Sequence, residues 1–333
     1  MVAMKDIESE QFWVGFDLGG TKILAALFDD EFYQMSRKRA RIRGAEGEKA
    51  GIALVIKLIR ETLGETTIKS KQLGGICIGC PGPLDMENGV IIEAPNLGWR
   101  DVQIRKMIER EFDCPVSVIN DVDAGVYGEY RFGAAMDARC VVGVFPGTGI
   151  GGGCVHQGEI FLGARASCME IGHLQAVRDG QLCGCGRRGC LETVASRLAI
   201  AAQVAIAAYR GNAPYVYKSV GTDLSEIRSR TLASAIAAGD KIVEEIVSEA
   251  AEYLGIAIGD VVNLMNPDIV VLGGGMVEAM PDIFVKRAKR SAKQRAMPSF
   301  VDSFDVVAAK LGDDATIMGA AAWAQTQFSA SPP

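Results

Sequence analysis

Three glycine clusters, each directly after a short apolar run, constrain this chain more than any other feature. They are Asp17-Leu18-Gly19-Gly20-Thr21-Lys22, Gly147-Thr148-Gly149-Ile150-Gly151-Gly152-Gly153 and Leu272-Gly273-Gly274-Gly275. An apolar run ending in glycine reads as a buried strand entering a tight turn. Glycine takes positive φ without penalty and lets backbone N–H groups approach an anion with no Cβ in the way. Each cluster alone is an ordinary β-turn. Together, with Asp17 able to reach Mg2+ through water, they make a candidate phosphate site. Its residues are Asp17, Gly19, Gly20, Thr21 and Lys22, then Gly147, Thr148, Gly149, Gly151 and Gly152, then Gly274 and Gly275.

The second cluster contains G-x-G-x-x-G at Gly147, Gly149 and Gly152. A dinucleotide fingerprint requires a helix to open immediately afterwards. Here three glycines lead into the strand-like Cys154-Val155-His156. A Walker A loop is excluded because no Gly-Lys pair occurs in the chain. What remains is an ATP-binding arrangement of two hairpin turns facing each other across a cleft, with a third glycine patch for the base.

The rest of the pattern predicts two similar halves. The first has strands over 12–18, 23–28 and an Arg-rich segment 37–43, a helix over 49–63, and a buried strand over 75–79 stopped by Pro81-Gly82-Pro83. A helix is expected to open at Trp99-Arg100-Asp101, with Asp101 as N-cap, and to run to Phe112 before a strand over 115–119. The second half starts at Arg139 with a strand over 141–145, a turn over 147–153 and strands within 154–162. A cysteine-rich loop follows, then helices near 193–210, 231–238 and 240–265, and a strand over 268–272. A long helix, a strand near 304–308 and a helix over 315–328 close the chain. At 333 residues the chain is too long for one compact core. Strands clustered ahead of helices, twice, predict an α/β fold of two duplicated domains with mixed sheets. The boundary is expected between Asn120 and Arg139. It gives a small domain of 1–120 plus about 315–333, and a larger one of 121–314 carrying the cysteine loop.

Composition narrows the function classes. A net charge of −6 argues against nucleic acid as a partner. Arg37, Arg39, Arg41 and Arg43 alternate as one solvated strand face would. Met1 to Gln11 is polar and acidic, and no apolar stretch approaches the ~18 residues of a membrane span, so a cytoplasmic protein is expected. Nine cysteines is an odd number, and Cys77, Cys80, Cys114, Cys140, Cys154 and Cys168 lie among apolar or small residues. That suits buried thiols in a reducing compartment better than disulfides.

The other three cysteines form the most specific local signal. His173 is followed by Cys183-Gly184-Cys185-Gly186-Arg187-Arg188-Gly189-Cys190, a Cys3His set suited to structural zinc. A redox Cys-x-Cys is the competing reading, and the companion histidine favours metal. His156 reads as structural. Glu170 and Glu192 lie close to this loop in sequence, and carboxylates accept hydroxyl hydrogens well. Asn120-Asp121 stands where a strand gives way to a helix, and there a helix cap and a proton acceptor are equally good readings. Asn96, after Pro95, reads as a turn residue.

The order Asp-Leu-Gly-Gly-Thr-Lys, Gly-Thr-Gly-Ile-Gly-Gly-Gly and Leu-Gly-Gly-Gly resembles the actin-like sugar kinases. Within them the chain is similar to the ROK family (repressors, open reading frames and kinases) from about residue 12 to 325. The resemblance implies two ribonuclease-H-like domains that close on ATP and a hexose, a homodimer, and Asp121 as catalytic base. It further implies that Asn96, Asn120, Glu170, His173 and Glu192 hold sugar hydroxyls, with Gly82 bringing backbone close to the same sugar. The run Pro95-Asn96-Leu97-Gly98-Trp99 looks more like the family's glucokinases than its N-acetylmannosamine kinases. Two positions depart from the family pattern: Val122-Asp123-Ala124 replaces Ala-Asn-Ala, and Met169 replaces a glycine. The other expectations the family allows are a kinase for another hexose, N-acetylmannosamine or fructose, and a sugar-sensing repressor, for which Met1 to Gln11 leaves no room for a helix-turn-helix.

Overall fold

The computed structural model describes residues 11–42, 47–165 and 168–329. The first stretch of chain forms β1 (Phe12–Leu18), β2 (Lys22–Phe28), β3 (Gln34–Arg41), α1 (Gly47–Gly64), β4 (Leu73–Cys80), β5 (Leu84–Asp85), β6 (Val90–Ala94), β7 (Trp99–Val102), α2 (Ile104–Phe112), β8 (Val116–Asn120) and α3 (Asp121–Phe132). Next come β9 (Cys140–Pro146), β10 (Ile150–His156), β11 (Glu159–Ile160), α4 (Glu192–Ala195), α5 (Arg197–Tyr209), α6 (Pro214–Val220), α7 (Ser229–Ala237) and α8 (Lys241–Met265). The chain closes with β12 (Ile269–Leu272), α9 (Gly275–Ala279), α10 (Pro281–Arg295), β13 (Asp305–Ala308) and α11 (Ala315–Phe328).

Two five-stranded sheets share one strand order, β3-β2-β1-β4-β8 and β11-β10-β9-β12-β13. In the first, β2 runs antiparallel to β1 and β3, whereas β4 is parallel to β1 and β8. The second repeats this, with β10 antiparallel to β9 and β12 parallel to β9 and β13. Each sheet is therefore mixed, and its central parallel strands are mostly apolar because both faces are covered. β4, Leu-Gly-Gly-Ile-Cys-Ile-Gly-Cys, is buried at every residue. The edge strand β3 shows the alternation expected of one open face: Arg37, Arg39 and Arg41 are exposed and Ser36 is buried. Arg43 lies outside the described residues.

The chain divides into two compact units. One holds the described residues up to Gly133, within Ile160–Cys168 and from Asp313 to Ser329; the other holds Ala134–Glu159 and Met169–Gly312. Each has its own apolar core. The expected cut after residue 120 thus moves to follow Gly133, because α3 packs on α11. The two helices approach so closely that a Cβ on Gly319 would lie 1.8 Å from the Ala124 carbonyl oxygen.

Several local expectations change. Trp99-Arg100-Asp101 does not open a helix; it belongs to β7 in a small antiparallel sheet, β5-β6-β7. Trp99 is buried with its ring on α1, 2.3 Å from where Gly51 would carry a Cβ, and this packing outweighs local helix signals. Asp101 has φ 54°, and the N-cap of α2 is Gln103. The second glycine turn shrinks to Gly147–Gly149, since Gly151, Gly152 and Gly153 already lie in β10. The helix expected near 193–210 breaks at Ser196, which caps α5 by accepting the Ala199 N–H. The long helix after β12 divides into α9 and α10 around Met280-Pro281. All nine cysteines are free thiols. Among the described residues no helix is long and apolar enough to cross a membrane.

Candidate active site

In the first unit the functional candidates gather at the carboxyl ends of the parallel strands, where open α/β sheets bind ligands. The register pairs Asp17 of β1 with Gly79 and Asn120 of β8 with Cys80, so Asp17 and Asn120-Asp121 flank the end of β4. Asn120 is extended (ψ 141°), and its Oδ1 accepts the N–H groups of Val122 at 2.9 Å and Asp123 at 3.3 Å. The cap is therefore Asn120. Asp121, the first helical residue, is left with an Oδ1 that accepts the Val122 N–H at 3.0 Å. Asp123 is buried at 5% exposure, whereas Asp121 is partly open. The carboxylate presented at the strand ends is that of Asp121.

Burial pushes the Asp121 carboxyl up to about 6, with the Val122 N–H pulling the other way. Asp17 is pushed up to about 7, first by burial, then by the charge of Asp121, with Lys22 opposing and Asp313 adding. Both groups hold protons more tightly folded than unfolded. Their contribution to stability is present below the ordinary carboxyl range and is lost as pH rises through 6 to 7. Asp17→Asn should therefore raise stability by on the order of 1–3 kcal/mol at pH 8, a gain that fades toward pH 5. Urea denaturation of both proteins at each pH measures it. A gain of equal size at both pH values would contradict the assignment.

Two ion pairs hold the β1–β2 turn and β3 to the start of α11: Lys22 with Asp313 and Arg37 with Asp314, both at 2.7 Å. Lys22, expected on phosphate, thus has a carboxylate partner. Asn96, on an exposed turn, lies beside the same glycine turn, its Cβ 3.1 Å from where Gly20 would carry one. Gly82 has φ +85°, and a Cβ there would sit 2.0 Å from the Glu93 carbonyl oxygen, so its backbone fit to β6 already requires glycine.

In the second unit, the turn after β9 and the turn after β12 come together. Leu272 pairs with Val144, and a Cβ on Gly273 would meet the Phe145 ring at 2.3 Å. Gly274, at φ +84°, leads directly into α9 with Gly275 as its first residue. The turn Gly147-Thr148-Gly149 is gripped from two sides. Ile150 N–H donates to Glu192 Oε2 at 3.2 Å, and a Cβ on Gly149 would stand 2.2 Å from that oxygen. On the other side Arg197 donates its N–H to the Gly147 carbonyl at 2.8 Å and its Nη2 to Thr148 Oγ1 at 2.9 Å.

Gly152 faces away from this turn. A Cβ on it would lie 2.3 Å from the Met169 carbonyl oxygen, so β10 forms a bare bed for the segment carrying Glu170 and His173. Met169 adopts φ 57° there, the left-handed backbone that a glycine would take freely. His173 directs Nδ1 to Cys183 Sγ at 3.6 Å and Nε2 to Glu170 Oε2 at 4.0 Å. Cys185 and Cys190 place their sulfurs 3.7 Å apart, and all four ligand atoms lie within 4.8 Å of one another. Zinc–sulfur bonds of about 2.3 Å in a tetrahedron require sulfurs about 3.8 Å apart, so this donor set could hold zinc. Glu192 Oε1 stands 3.5 Å from Cys183 Sγ, which links the cluster to the glycine turn.

The ROK family profile matches residues 13–327. This chain belongs to the ROK family. It is 32% identical to a glucokinase of Halalkalibacterium halodurans over 93% of this chain and 94% of that one. It is 29% identical to a putative xylose repressor of a Caldicellulosiruptor species, over 96% of this chain and 79% of the other. A crystal structure of a ROK family glucokinase from Streptomyces griseus, in complex with glucose and AMPPNP, superposes with a TM-score of 0.82 at 27% identity, covering 95% of this chain and 99% of that one. The two units thus carry the actin-like ATPase fold of the ROK sugar kinases. Sequence motifs located most of the residues described above. They missed Arg197 and the Glu192–Ile150 hydrogen bond, whose partners lie 49 and 42 residues apart in sequence.

Proposed function

We propose that this ROK protein is an ATP-dependent glucokinase, forming glucose 6-phosphate and ADP. The observation that carries this reading is Asp121: a partly open carboxyl at the end of β8, freed from capping by Asn120 and held near neutrality by burial. A sugar hydroxyl is a poor nucleophile until its proton has somewhere to go. Asp121 accepts that proton as the hydroxyl oxygen attacks the γ-phosphorus and the bond to the ADP oxygen breaks. Asn96, Asn120, Glu170, His173 and Glu192 orient the sugar. The turns at Gly19-Gly20-Thr21-Lys22 and Gly147-Thr148-Gly149, with Gly274-Gly275, hold the nucleotide, and Asp17 serves its Mg2+, which offsets phosphate charge when bound.

The same reading puts zinc on His173, Cys183, Cys185 and Cys190, supported by ligand atoms that all lie within 4.8 Å of one another. Zinc would lock the His173 ring through Nδ1 and leave Nε2–H to donate to a sugar hydroxyl. A cytoplasmic homodimer in carbohydrate metabolism belongs to this reading as well; the exposed apolar side chains of Ile206, Tyr209 and Leu264 are consistent with a partner copy.

A panel of hexoses with ATP and Mg2+, read by ADP release, tests the proposal. Glucose should give the highest kcat/KM. A tenfold preference for another hexose, about 1.4 kcal/mol in the transition state, would reassign the substrate. Absence of turnover with every sugar, alongside retained sugar binding, would favour the sensing role suggested by the repressor relatives.

A further inference from the structure

The second glycine turn offers a donor's phosphates backbone N–H groups, which carry only partial charges, and no lysine follows it as in a Walker loop. A nucleoside triphosphate brings several full negative charges. Arg197 supplies a full positive charge at this turn. It is the first residue of α5, directly after the capping Ser196, and it holds the turn twice: its backbone N–H bonds Gly147 O at 2.8 Å and its Nη2 bonds Thr148 Oγ1 at 2.9 Å. The backbone bond fixes where the side chain starts, and the Thr148 bond fixes where the guanidinium lies. A guanidinium carries five N–H donors in a rigid fork suited to phosphoryl oxygens, and the bond to Thr148 occupies one. Glu192, the acid gripping the same turn, spends its Oε2 on the Ile150 N–H, so its charge lies on the Ile150 side and that of Arg197 on the Thr148 side.

We infer that Arg197 is a phosphate-binding residue of this kinase, donating to the β- and γ-phosphoryl oxygens of ATP, with Thr148 holding the guanidinium in place until the nucleotide arrives. The inference rests on the ATP-dependent kinase reading. On nucleotide binding the guanidinium turns its free donors to the phosphates, and the Thr148 hydroxyl becomes available to the same anion. No bond to Arg197 forms or breaks during transfer. Its charge matters to the triphosphate and the diphosphate and is indifferent to the nucleoside.

Calorimetric titration of ATP, ADP and adenosine into the full chain tests this, using wild type, Arg197→Ala and Arg197→Lys. Removing one charged contact should weaken ATP and ADP roughly 10–100-fold while adenosine changes less than about twofold. Arg197→Lys should recover part of the loss, as a point charge without the fork. In steady state the KM for ATP should rise in Arg197→Ala with the KM for glucose unchanged. An ATP affinity unaltered by Arg197→Ala would overturn the inference. So would equal losses for adenosine and ATP in both variants, since that pattern reports a collapsed turn. Wild-type protein that transfers no phosphate would instead overturn the kinase reading, which separates the two failures.

Discussion

Asp121→Asn should lower kcat by roughly 10²–10⁴-fold while glucose still binds with near-normal affinity. The asparagine keeps the size and the Oδ1 that accepts the Val122 N–H, so α3 should start as before. What it loses is the capacity to take a proton, a capacity used only as the sugar oxygen attacks. The pH profile gives an independent reading. The base works ionised, and burial holds Asp121 up to about 6, so kcat/KM in the wild type should climb between about pH 5 and 7 and then level off. In the residual activity of the variant the Asp121 part of that limb should be lost, leaving only the part set by Asp17. Asp123 is the alternative carboxyl three positions past Asn120, and it is buried at 5% exposure. Near-normal kcat in Asp121→Asn together with a collapse in Asp123→Asn would show that the base had been assigned to the wrong acid.

Cys185→Ser should abolish stoichiometric zinc and weaken glucose binding by about 10–100-fold, with a smaller loss for ATP. Cys185 is the exposed member of the cluster, so its replacement leaves the buried Cys183 and Cys190 packed and removes one thiolate. On the proposed zinc reading, losing the ion would free the His173 ring at Nδ1, and with it Nε2, which stands 4.0 Å from Glu170 Oε2. Glu192 extends the effect toward the nucleotide, because its carboxylate touches both Cys183 and the Ile150 N–H. The ATP loss is nonetheless smaller, since the turn retains its own Gly147 N–H to Gly149 O bond and both contacts from Arg197. Elemental analysis gives the zinc content, and separate titrations give the two affinities. Metal-free wild-type protein with full sugar affinity would remove zinc from the reading, and equal losses of both ligands would indicate general unfolding.

Much of this was legible in the sequence because the signals are local. An apolar run followed by glycines describes its own turn, and a Cys-x-Cys followed by a third cysteine brings its ligands together over a few residues. Strands clustered ahead of helices, twice, pointed to two mixed sheets, and the strand order they share came only from the pairings. At Asn120-Asp121 two adjacent residues both suited to capping leave the cap open in sequence, and the extended backbone of Asn120 shows that Asn120 is the cap.

Other features depended on contacts between distant residues. Trp99 became a strand residue because α1 offers Gly51 as a seat for its ring. The unit boundary moved past α3 because Gly128 and Gly319 let two helices meet backbone to backbone. Gly152, one glycine among several in its run, lies against the Met169 carbonyl, a close approach that its own neighbours in sequence do not signal. The sequence by itself pointed to two mixed sheets, the glycine turns and the cysteine–histidine cluster, since each is signalled by short local patterns. Tertiary structure alone decided which turn Arg197 and Glu192 grip, which carboxyls are pushed toward neutrality, and which glycines serve packing. Burial, close approach and charge proximity arise between segments that only the folded chain brings together.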